Sequence, residues 1–174
     1  MRVLASQFTS TPKLSATKRN GTSVRPFCTM PDTPDKQDDT RRLWNAIQSG
    51  EYNACISPVV VLEVDACSEP KRSFLGRKLM VIPYNLLAEK GEVLELANQY
   101  LDAGILKQKS YDDCQHIAYA CVYNCDMIVS WNFKHLVNVK TISGVKSVNA
   151  RAGYKEMPIY TPTMLIEGGT DDDS

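Results

Sequence analysis

The chain has 174 residues, of which 43% are apolar and 23% charged, enough for one domain with a core of its own. No apolar run approaches the about 20 residues that cross a bilayer, so a soluble protein without a membrane partner is expected. The formal net charge of +0 hides two oppositely charged ends. Arg2, Lys13, Lys18, Arg19 and Arg25 lie in the first 31 residues with no acid, whereas the end carries Glu167, Asp171, Asp172 and Asp173. Residues 32–166 then hold 15 basic and 16 acidic side chains, and no basic stripe marks a nucleic-acid groove. The Ser- and Thr-rich leader lacks the apolar core of a secretory signal; it reads as a disordered or mis-assigned leader, or as an organelle transit peptide. Residues 1–20 are thus expected to be leader, 21–166 the folded domain, and 167–174 a disordered acidic tail. The expected location is the cytoplasm, with an organelle as the alternative.

Six cysteines (Cys28, Cys55, Cys67, Cys114, Cys121 and Cys125) form no C-x-x-C pair, and several sit in apolar segments where a thiol packs as a small hydrophobe. Cys121 and Cys125 fall one helical turn apart, but two thiols without a third ligand make a poor metal site.

The first helix is announced by Thr33 as N-cap, Pro34 at its first position, acids in its first turn and Gly50 at its end; Leu43, Ala46 and Ile47 give its apolar face. A short strand at Cys55 and Ile56 stops at Ser57-Pro58. The run Val59-Val60-Val61 suits a strand by propensity, but proline behind a serine cap predicts a helix, with Glu63 in its second turn. "LMVIPY", residues 79–84, predicts a buried strand. Residues 85–104 predict a helix facing inward with Val93, Leu94, Ala97, Tyr100 and Leu101, stopped by Gly104. Ser110 is expected to cap a helix over 111–123, followed by a strand over 126–130. A short helix at 133–137, a helix at 142–152, a strand at 157–160 and a last turn at 161–166 complete the chain. Strands alternating with helices imply crossovers and a mainly parallel sheet covered on both faces.

In such a sheet ligands bind beyond the carboxyl ends of strands, which draws attention to Glu63, Asp113 and Asn132. Clustered carboxylates can hold Mg²⁺ or Mn²⁺, which activates water against a phosphodiester. Asp112 and Asp113 also suit a helix start for purely local reasons, and, about 100° apart on the helix, at most one of them can face a site. His116, one turn beyond Asp113, either orients it or fills a polar niche in the core. Glu63 lies among valines, where a carboxylate needs a cation or hydrogen-bond donors.

The segments "ISPVVVLE", "DDCQHIAYA" and above all "CDMIVSWNFKHLVN" resemble the PIN domain, in the branch similar to VapC toxins of type II toxin-antitoxin systems. "TPDKQDDTRRLW" and "YTPTMLI" add weaker support, and the resemblance spans about residues 20–166. It implies a three-layer α/β/α fold with a mainly parallel sheet, and an Mg²⁺- or Mn²⁺-dependent endoribonuclease. Glu63 and Asp113 would be metal ligands and Asn132 a third catalytic residue, with His116, Ser130 and His135 in support. RNA would be the substrate, with an antitoxin protein and a second copy of the chain as partners. One position departs from the pattern: Gly21 stands where the family has its first-strand Asp. The alternative is therefore a catalytically inactive homologue acting as a binding partner. "RVLASQF", residues 2–8, is a poor substitute strand because it ends without an acid.

Overall fold

The computed structural model describes Arg2–Val3, Thr22–Ser23 and residues 34–167, with side chains over 34–166. Gly21, Cys28, Thr33, the rest of the leader and the tail beyond Glu167 lie outside the described residues. In chain order the elements are β1 (Arg2–Val3), β2 (Thr22–Ser23), α1 (Pro34–Gln48), β3 (Ala54–Ile56), α2 (Pro58–Asp65), α3 (Lys71–Met80) and β4 (Tyr84–Leu86). They continue with α4 (Gly91–Asp102), a 3-10 turn (Gln108–Ser110), α5 (Tyr111–Val122), β5 (Ile128–Ser130), α6 (Val139–Ala152), β6 (Ile159–Tyr160) and α7 (Pro162–Glu167).

The short strands form one sheet in the order β1-β5-β2-β3-β4, with β6 also paired to β5. All pairings are parallel except that of β1, which runs antiparallel to β5. Ser23 of β2 lies opposite both Cys55 of β3 and Ile128 of β5. Side chains alternate between the faces of a strand, and two apolar clusters follow that alternation. Cys55 and Ile128 pack with Val93, Tyr100, Ile117 and Val145 of α4, α5 and α6. Ala54, Ile56 and Val129 pack instead with Leu43, Ile47, Val60 and Leu75 of α1, α2 and α3. Among the described residues the molecule is a mixed α/β unit, mostly helical, with mainly parallel strands.

Several helix boundaries follow the punctuation of the sequence. Gly50 and Gly104, with φ of 82° and 66°, take the left-handed conformation that ends a helix at little cost to glycine. Pro58 opens α2, but the Ser57 side chain makes no cap bond and turns elsewhere.

Other expectations need correction. The strand expected over 79–84 is the end of α3 followed by an edge strand displaced to Tyr84–Leu86, whose three residues are exposed. Periodicity cannot separate a short apolar run in a strand from one in a helix, and Met80 and Val81 are apolar yet exposed. The helix expected over 85–104 begins only at Gly91, because Tyr84, Asn85 and Leu86 pair with β3. On it Leu94 is 48% exposed and Leu96 takes the buried place. Residues 133–136 form turns rather than a short helix, and α6 begins at Val139, capped by the Asn138 side chain.

Candidate functional site

The chain builds β3 and β4 to one side of β2, then returns to place β5 on the other. The strand order therefore reverses at β2, and the carboxyl ends of β3 and β5 flank the position at which ligands bind in open α/β sheets. Ser57 follows β3 directly and Trp131 and Asn132 follow β5, while α5 contributes Asp113 and His116. The candidate side chains of the sequence fall into two hydrogen-bonded clusters, Asp113 with Asn132, His135 and Ser130, and His116 with Glu63, so the partners differ from those that local spacing suggests.

Asp113 is buried, 4% exposed, and faces the turn after β5. Its Oδ2 lies 2.8 Å from His135 Nδ1, and its Oδ1 accepts a long bond, 3.5 Å, from Asn132 Nδ2. An ionised carboxylate only accepts, so His135 carries its proton on Nδ1. Ser110 Oγ, 2.9 Å from the same nitrogen, shares that proton as a second acceptor. The backbone around His135 is held as firmly. Its N–H donates to Asn132 Oδ1 at 3.0 Å, its carbonyl accepts from Thr141 Oγ1 at 2.7 Å, and Asn132 N–H donates to Ser130 Oγ at 3.0 Å.

His116 does not orient Asp113. Its Nε2 lies 3.4 Å from Glu63 Oε1, and its Nδ1 lies 3.3 Å from Ser57 Oγ. With the proton on Nε2 toward the carboxylate, Nδ1 accepts from the Ser57 hydroxyl. Ser57 and His116 are closed to water, at 0% and 2% exposure, while the Glu63 side chain keeps 14% of its surface exposed. Glu63 thereby finds the partner that its apolar surroundings demand. This network joins β3, α2 and α5 across the sheet end.

Cys114 beside Asp113 is no nucleophile. Burial, with a smaller contribution from the Asp113 charge, pushes its thiol up to about 12. Cys121 accepts from Tyr100 Oη and Asn149 Nδ2, at 3.4 and 3.2 Å, and serves as a core acceptor rather than a metal ligand.

No family model matches the chain, and no curated protein or solved structure matches it. The site offers the carboxylates of Asp113 and Glu63, the amide of Asn132 and the imidazoles of His116 and His135 as donors.

Those donors do not fit a Mg²⁺ or Mn²⁺ centre. Such ions need several oxygen ligands in a near-octahedral shell, whereas Asp113 and Glu63 each face an imidazole. Among the described residues no group of three or more His, Cys, Asp or Glu is placed to hold a metal ion. Residues 1–31 contain no acid, so nothing near β2 in the sequence can add a carboxylate. Gly21 lies outside the described residues and precedes β2 in the chain, so the carboxyl end of that strand comes after Ser23. Arg25 is the residue two beyond Ser23, as Ser57 and Ser130 are two beyond its partners Cys55 and Ile128.

Two features escaped the motif reading. Lys36 Nζ sits 5.7 Å from the Trp131 ring centroid and 5.3 Å from that of Phe133, next to Asn132. Residues 127–155 also carry Lys134, Lys140, Lys146, Arg151 and Lys155 without one acid. Counting charge over the whole domain concealed that run.

Proposed function

We propose that the chain is a PIN-like domain, similar to VapC-type ribonucleases, that binds RNA and has lost metal-dependent phosphodiester hydrolysis. The observation that carries this reading is the state of the two acids at the strand-order reversal. Asp113 is engaged by His135 and Asn132, Glu63 by His116, and no third carboxylate joins them among the described residues. The three-layer α/β/α arrangement is supported by the parallel β5-β2-β3-β4 core and by apolar clusters on both faces of the sheet. RNA as the ligand is supported by Lys134, Lys140 and Arg151 in the acid-free run from β5 to α6, since phosphate contacts dominate nucleic-acid affinity, whereas Lys146 and Lys155 of that run pair with Glu156 and Asp126.

The second reading is an active Mg²⁺- or Mn²⁺-dependent endoribonuclease using Glu63, Asp113 and Asn132. It is favoured by the bond between Asn132 and Asp113 and by the place of Glu63 on the helix that follows β3. An antitoxin protein or a second copy of the chain remains the expected partner. Such a partner would meet exposed apolar side chains at Leu62, Met80, Val81, Tyr84 and Leu86. A cytoplasmic location belongs to the same proposal; among the described residues no helix is long and apolar enough to cross a membrane.

An RNA cleavage assay with Mn²⁺ decides between the two. The chain itself is expected to leave the RNA intact, and Arg25→Asp, which adds a carboxylate after β2, is expected to gain cleavage. Cleavage by the unaltered chain that disappears in Asp113→Ala would establish the second reading instead.

A further inference from the structure

We infer that Phe133 is a stacking platform for a base of single-stranded RNA, set directly beside the Asp113–Asn132–His135 cluster. The inference rests on the RNA reading and adds where, and in what form, the RNA is held. Phe133 stands in the turn after β5 with 46% of its surface exposed. Its backbone is fixed, because its N–H donates to the Trp131 carbonyl at 2.9 Å and the flanking Asn132 is bonded to Asp113, Ser130 and His135. The ring is held as well. Trp131, its indole N–H anchored on Thr40 Oγ1 at 2.9 Å, packs against it with centroids 6.1 Å apart and planes tilted by 48°.

Lys36 Nζ lies over both rings. An ammonium within about 6 Å of a ring centroid is drawn to the π face, which places a positive charge beside the exposed aromatic surface. A nucleotide needs the same pair of groups: a flat apolar surface for the base and a cation for the phosphate that follows it. Lys134, the next residue after Phe133, and Lys140 at the start of α6 are both exposed and extend the positive charge along the acid-free run. Every base has a π face, so the platform takes any unpaired base and discriminates by strandedness rather than by sequence. A base-paired duplex keeps its bases stacked on one another and cannot use it.

The test is fluorescence anisotropy of the full chain with a short labelled oligoadenylate, in EDTA so that binding is read apart from cleavage. Phe133→Ala and Phe133→Leu are expected to weaken single-strand binding by about 5- to 150-fold, the span of one lost base–aromatic stack. Phe133→Tyr is expected to keep it, and Phe133→Ala to leave the affinity for an RNA duplex unchanged. Unchanged single-strand affinity in Phe133→Ala, or equal retention by Leu and Tyr, would overturn the platform while leaving the RNA reading in place. A wild-type chain that binds no single strand would overturn both.

Discussion

Asp113 and His116 stand one helical turn apart, and local spacing couples them to each other. In the fold each turns to a residue distant in sequence, Asp113 to His135 and His116 to Glu63 and Ser57. The acid was legible because its place after an N-terminal turn and before a buried strand is local information. Its partner was not, because the pairing across 22 residues arises only when the turn after β5 folds back over α5. This pairing has a stability signature. In a centre of three mutually repelling carboxylates, removing one relieves repulsion and tends to stabilise the fold. Here Asp113→Ala removes a satisfied buried partner, leaves Asn132 Nδ2 without its acceptor and leaves His135 Nδ1–H with Ser110 Oγ alone. It should destabilise by about 1–3 kcal/mol in urea unfolding. A variant more stable than the parent would speak for a repulsive acidic centre.

At the level of elements, capping chemistry was a better guide than hydrophobic runs. Pro34, Pro58, Gly50 and Gly104 marked true boundaries, whereas "LMVIPY" did not form the strand its composition suggested. There the helix α3 buries Leu75 and exposes Met80, so the apolar run straddles a helix end and the loop after it. The start of α6 at Val139 was hidden because its cap, Asn138, follows the turn that holds His135. This helix is fitted closely to its neighbour. A Cβ added at Gly144 would come within 2.8 Å of Ile105 Cγ1, with two further atoms of that side chain at 3.2 and 3.3 Å. Alanine normally favours a helix over glycine by up to about 1 kcal/mol. Ile105 is buried and β-branched, so it yields poorly, and overpacking of about 1–3 kcal/mol should win. A lowered thermal midpoint for Gly144→Ala is expected, and a raised one would show that α6 can move away.

For the molecule as a whole, the apolar cluster around α4, α5 and α6 holds several ionisable groups in their neutral forms. Burial raises the thiols of Cys114 and Cys121 and the phenol of Tyr100 above their ordinary values of 9.0 and 10.0. Their folded pKa values exceed the unfolded ones, so the stabilisation is complete below about pH 9 and is lost as the pH rises beyond it. Thermal midpoints followed from pH 7 to 11 should fall in the upper half of that range; a flat profile would mean that these groups ionise without cost in the fold. The same scale explains what the sequence concealed about ligand binding. Near-equal numbers of acids and bases argued against nucleic acid, yet the bases of residues 127–155 fall in the turn after β5, in α6 and just beyond it. The most direct measurement is therefore a single incubation of the full chain with end-labelled single-stranded RNA and Mn²⁺, resolved on native and denaturing gels. The account predicts retarded RNA on the first and full-length RNA on the second. Shortened RNA whose formation needs both Mn²⁺ and Asp113 would contradict it.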